Sequence, residues 1–221
     1  ANAVVLINSR GSIVALCLGA IYFLTIMVYK GKTKPFVKST ALKLMVFGFA
    51  GLIYISDAAF WERISTMTNR EVSADVETGA TRTVFWSAAL KMSFDHPFGA
   101  GVRGFDFYAD EYMPLDTNTG GSRVRSVHST WLEVMSEIGY LGLAAFLFLI
   151  YTCFRSTALA KRNLKSDENY IGYFKVVAIE SALITFLVAM TFMNRSRAEV
   201  LYWCVLFTAC AHNIYVSRRI P

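Results

Sequence analysis

Three residues in this sequence combine reactive chemistry with a position where it can be used: His128, Arg82 and Arg10. His128 stands just ahead of Ser129-Thr130, and Thr130-x-x-Glu133 has the spacing of a capping box that opens a helix. A helix N-terminus disfavours added positive charge. An imidazole there tends to stay neutral, the state in which it can serve as a general base. An interfacial histidine that only hydrogen-bonds a loop fits the same spacing. Arg82 opens a stretch of helical periodicity, and Arg10 lies in Asn8-Ser9-Arg10-Gly11-Ser12, where an apolar run begins. A guanidinium is permanently charged and offers a planar fork of donors to phosphate oxygens. Two of them near one surface can hold a diphosphate, although headgroup contact is the plainer reading of each alone. Arg103, Arg123 and Arg125 read as a solvated basic stretch. Asp106, Asp110 and Glu111 match no metal loop and read as solvated surface. No metal and no other cofactor is expected.

The elements that must position these residues are membrane helices. Of 221 residues, 55% are hydrophobic and 17% charged, with a mean hydropathy of +0.42. Soluble domains carry about 25% charged residues, and here the apolar residues gather into long runs. The reading is an all-α integral membrane protein with about five spans of roughly 20 residues each: Ser12–Tyr29, Ser39–Ser56 (Lys43 snorkelling at its start), Ile138–Phe154, Ile171–Met193 and Val200–Val216. Residues 1–56 then hold two spans, 57–137 form one large, partly helical loop, and 138–221 hold three spans and a tail. The chain opens in mid-pattern with no initiator Met and no signal-peptide features. It is expected to be a piece of a longer protein with further helices upstream.

Charge orients the spans. Lys30, Lys32, Lys34 and Lys38 fill the first connection; Arg155, Lys161, Arg162 and Lys165 dominate the third; Arg218 and Arg219 end the chain. With five spans these lie on one side, which the positive-inside rule makes cytoplasmic. The loop from Asp57 to Glu137 is then outside, and its seven basic and twelve acidic residues give it a net charge of −5. Arg195 and Arg197 in the short outer turn run mildly against the rule. The overall charge of +6 is explained by helix ends, so no nucleic-acid partner is expected. Within the loop the spacing predicts one helix over Thr81–Phe94, stopped by Pro97 and Gly99-Ala100-Gly101, and a second from Ser129 or Thr130 that feeds into the third span. Asn118 and Gly120-Gly121 mark a mobile segment between them.

Other candidates have quieter readings. Glu180 lies well inside the fourth span, with Lys175 near its inner end. A charge there is costly and points to function or to a structural ion pair, with an upstream helix as the expected partner. His96 ends a helix before Pro97, and His212 is interfacial. Cys17, Cys153, Cys204 and Cys210 all lie in apolar segments, with no zinc spacing and no disulfide framework.

Taken together, Ser9-Arg10-Gly11, Arg82 with Trp86, His96-Pro97-Phe98-Gly99-Ala100-Gly101, His128-Ser129 and Glu137-Ile138-Gly139-Tyr140-Leu141-Gly142-Leu143 resemble the O-antigen ligase and polymerase superfamily in order and spacing. The likeness covers nearly the whole chain, as the C-terminal half of such a protein. It implies a metal-independent glycosyltransferase of the bacterial inner membrane, acting at the periplasmic face. The donor would be a glycan on undecaprenyl diphosphate; the acceptor would be a lipid A-core sugar, a growing polysaccharide or a protein hydroxyl. Arg10, Arg82 and His128 fall on the family's essential arginines and histidine. Arg125 and Arg103 would add diphosphate contacts, and the anomeric centre would invert. Many members read His-Asn where this chain has His128-Ser129, and subgroups linked to exopolysaccharide systems read His-Ser. A polymerase differs only in its acceptor. A flippase for lipid-linked glycans is the rival of another class, and a non-catalytic envelope scaffold is a third.

Overall fold

A computed structural model of the chain describes residues 10–30, 35–55, 79–114, 127–193 and 199–219. Among these residues the regular structure is helical: α1 (Arg10–Lys30), α2 (Pro35–Ile55), α3 (Gly79–Asp95), α4 (Gly104–Tyr112), α5 (Thr130–Ser166), α6 (Tyr170–Met190) and α7 (Glu199–Tyr215), with a short 3-10 turn at Ser217–Arg219. Among the described residues three helices are long and apolar enough to cross a membrane: α1 over Gly11–Tyr29, α5, and α6. The expected second and fifth spans fall on α2 and on the 17-residue α7. The chain divides into two compact units, one of residues 1–71, 156–188 and 206–221, the other of residues 72–155 and 189–205.

In the first unit, α1 and α6 meet closely at Gly19. Ser181 Oγ donates to the Gly19 carbonyl at 2.7 Å. A Cβ on Gly19 would collide with the Thr185 hydroxyl. Small residues at such a crossing are what lets membrane helices approach. Glu180, next to Ser181 in the chain, is buried and fully engaged. It accepts from Tyr22 on α1 at 2.6 Å, from Thr157 on α5 at 3.1 Å, and from the Lys161 ammonium. Its partner is therefore within this chain, not on an upstream helix.

That pairing corrects a boundary. Arg155, Lys161, Arg162 and Lys165 do not form a connection after Phe154; they ride on the last turns of α5. The reason is periodic. Thr157, Ala160 and Leu164 keep one face buried, where Ala160 and Leu164 pack on Val176 and Ala211, while Lys and Arg are good helix formers on the other faces.

The second unit has its own core. Phe85, Ala88, Ala89 and Met92 form one stripe of α3, which packs on Phe105 and Ala109 of α4 and on Met113 and Val127. The α3 stripe is as the spacing predicts, with the helix one or two residues longer at each end. Helix α4 was not anticipated. Its Phe105, Tyr108, Ala109 and Tyr112 have helical spacing, but Asp106, Asp110 and Glu111 interleave with them and disguise it. Tyr112 hydrogen-bonds the Asp95 side chain at the end of α3, which holds the phenol's pKa above its ordinary value.

Candidate functional site

His128 is held between two anchors. On one side Val127 is buried in the core, and its carbonyl accepts the Trp86 indole N–H at 3.1 Å. On the other, Ser129 and Thr130 are buried as α5 begins. The Thr130 hydroxyl donates to the Met193 carbonyl at 2.7 Å, and Trp131 Nε1 donates to Thr191 Oγ1 at 3.1 Å. His128 itself is half-buried, with φ of 50°. A left-handed conformation at a residue with a Cβ costs about 1–2 kcal/mol. Such strain persists only where the surroundings over-determine it, as at functional sites.

Arg82 lies in the first turn of α3, one turn before Trp86, so the indole links its helix to the residue beside His128. That first turn contains no acidic residue. A helix start carries the positive end of the helix dipole, and a guanidinium there adds to that field. Arg82 Nε is buried and has no hydrogen-bond partner among the described residues. A buried donor left unpaired costs about 1–3 kcal/mol. An anion would relieve both the unpaired donor and the dipole.

The turn after α3 and the start of the apolar part of α5 cross backbone to backbone. At Gly139, φ 79° and ψ −173° interrupt the helix, a combination available essentially to glycine alone. The carbonyls freed by the break are used: Ala100 N–H donates to Ser136 O at 2.9 Å and Gly101 N–H to Glu137 O at 3.0 Å. In return Tyr140 N–H donates to Pro97 O at 3.0 Å. Gly99 and Gly139 face each other so closely that a Cβ on Gly139 would come within 2.6 Å of the Gly99 nitrogen. Gly99-Ala100-Gly101, read in the sequence as a helix stop, and the Gly139 motif are thus two halves of one joint. The Ser93 and Tyr140 hydroxyls, 3.1 Å apart, reinforce it.

The remaining candidates are distributed as follows. Arg103 caps α4 with φ 61°. Its Nε bonds Asp106 at 2.9 Å, and its amide donates to Glu137 Oε1 at 2.6 Å. Arg10 is the first residue of α1, in the other unit. Arg123, Arg125 and the Asn118 to Gly121 segment lie outside the described residues, as do Arg195 and Arg197. Among the described residues no group of three His, Cys, Asp or Glu side chains is placed to hold a metal ion. His96 ends α3 as its position before Pro97 suggests, and its ring lies 4.9 Å from that of Tyr108.

These features define a helical membrane protein in which a short helical insert presents an arginine and a strained histidine next to an apolar helix. The chain matches the O-antigen ligase family over residues 1–147 and belongs to it. The matched stretch takes in Arg10, Arg82, the His96–Gly101 turn, His128 and the Gly139 break. Membership supports a ligase- or polymerase-like role in polysaccharide biosynthesis. A comparison with curated proteins finds no match.

Proposed function

We propose that the protein transfers a glycan from undecaprenyl diphosphate to an acceptor hydroxyl at the periplasmic face of the bacterial inner membrane. The observation that carries this reading is the Nε of Arg82, buried and without a hydrogen-bond partner among the described residues, at a helix N-terminus tied by Trp86 to the residue beside His128. In this mechanism His128 takes the proton of the acceptor hydroxyl. The acceptor oxygen bonds the anomeric carbon as the bond from that carbon to the diphosphate breaks. The leaving diphosphate gathers charge, which Arg82 and Arg10 stabilise. Attack opposite the leaving group inverts the anomeric centre. Arg125, three residues before His128 in the sequence, helps orient the phosphates. The mechanism needs no metal ion, since the arginines supply the positive charge.

The accompanying topology is five spans, with residues 57–137 as the periplasmic catalytic loop and 138–221 as three spans and a cytoplasmic tail. A lipid A-core sugar, a polysaccharide end or a protein hydroxyl would each suit the same chemistry, so a polymerase shares this mechanism. A flippase is the poorer reading, because Glu180, its best candidate for a translocation path, is fully engaged by Tyr22, Thr157 and Lys161.

The test is reconstitution of the full-length protein with an undecaprenyl-diphosphate glycan and candidate acceptors, with products identified by mass. His128→Ala is expected to lower transfer by about 10²–10⁴-fold. Wild-type transfer by a correctly inserted His128→Ala protein overturns the mechanism.

A further inference from the structure

The joint between the α3–α4 turn and α5 is surrounded by apolar side chains that the core does not use. Phe94, Phe98, Val102, Phe107, Ile138 and Leu141 are each between 57% and 81% exposed. A surface of this kind marks an interaction site. Its position says what it meets. Residues 138–154 of α5 contain no charged residue, whereas Glu133 and Glu137 precede them, and α5 is apolar enough to cross a membrane. The helix therefore enters hydrocarbon just after Glu137. The turn is bonded at that level, through Ser136, Glu137 and Tyr140. Phe98 and Val102 flank the joint from the turn, and Ile138 and Leu141 flank it from the helix. Phe107 is exposed on α4, its ring against Tyr108 at 5.0 Å, and Tyr108 lies against His96 at the end of α3. Of the charged groups near the joint, Arg103 pairs with Asp106, and the Glu137 carboxylate accepts the Arg103 amide.

We infer that this face is a membrane-docking surface: Phe94, Phe98, Val102 and Phe107 insert into the acyl-chain boundary of the bilayer beside α5. Among the described residues this apolar face is continuous with the exposed apolar side of a spanning helix, and the bilayer that the helix crosses lies at that level. Helices α3 and α4 then lie along the membrane, as interfacial amphipathic segments do, instead of standing in water. The inference rests on the span and the joint, not on the proposed reaction. It also keeps Arg82 and His128 within reach of the headgroup layer, where the phosphates of a lipid-linked substrate would sit.

The test uses the full-length protein in vesicles of phosphatidylethanolamine and phosphatidylglycerol. Nitroxide labels are placed by cysteine substitution at Phe98, Phe107 and, on the charged end of α4, Glu111, in a background lacking the native cysteines. Labels at 98 and 107 should be relaxed by oxygen more than by a water-soluble nickel chelate, and the label at 111 the reverse. Nickel access at 98 and 107 equal to that at 111 overturns the inference, as does exclusion of both reagents, which would place protein on this face. Should removal of the native cysteines prevent folding, Phe98→Trp in the otherwise native chain gives a second measurement. Its added fluorescence should be quenched by lipids brominated near the headgroup, and no quenching overturns the inference equally.

Discussion

Two charged side chains in this protein carry buried atoms to very different effect. Glu180 is closed in by a tyrosine, a threonine and a lysine from other helices, so each carboxylate oxygen has a donor. Arg82 has a buried Nε with no hydrogen-bond partner among the described residues, in a helix turn that lacks any acid. The first arrangement is complete in itself and holds α1, α5 and α6 together. The second leaves a donor open, as the proposed binding of an anion requires. A buried charge by itself therefore says little; whether its hydrogen bonds are already spent separates a fastening from a binding group.

The contrast can be broken by substitution. Glu180→Ala should have the largest effect on stability, about 3–5 kcal/mol, because it strands Lys161. A Lys161→Met, Glu180→Leu double variant should recover most of that loss in thermal unfolding of the reconstituted protein. Arg82→Ala should behave in the opposite way. Transfer falls by about 10²–10³-fold, or about 2.7–4 kcal/mol, while the unfolding temperature stays level or rises. A loss of stability comparable to that of Glu180→Ala would make Arg82 a fastening too.

Gly139→Ala should cost about 1–3 kcal/mol from backbone conformation alone, with the collision at Gly99 added, measured as a lower unfolding midpoint. Trp86→Phe keeps the ring but loses the bond to the Val127 carbonyl. It should cost about 0.5–1.5 kcal/mol, and transfer should fall further than that stability loss explains, because His128 loses one of its anchors. Arg103→Ala should do least, about 0.2–1 kcal/mol, since its pair with Asp106 is exposed on the arginine side. A ten-fold or greater fall in transfer would instead put Arg103 on the phosphates.

Much of the helical insert was legible in advance. The α3 stripe follows from Phe85, Ala88, Ala89 and Met92 at helical spacing, and the start of α5 from Ser129-Thr130. Helix α4 was obscured because its acidic residues share turns with its aromatic ones. The end of α5 was misplaced because basic residues after an apolar run look like a loop at a membrane edge, whereas Lys161 turns inward to Glu180. The joint at Gly99 and Gly139 left a trace in the glycine positions but no hint of pairing, because the glycines are far apart in the chain and each has a sufficient local explanation.

Sequence by itself determined the class of the protein: apolar runs long enough to cross hydrocarbon, a polar insert between them, and the residue types that handle phosphate and protons. These are properties of composition and short-range periodicity, which each segment carries alone. Tertiary structure decided which of those residues are spent and which remain available. That depends on donors and acceptors brought together from distant segments, such as Tyr22, Thr157 and Lys161 around Glu180 or Trp86 on Val127. A hydrogen bond acts over about 3 Å, and only the folded chain determines what lies within that distance.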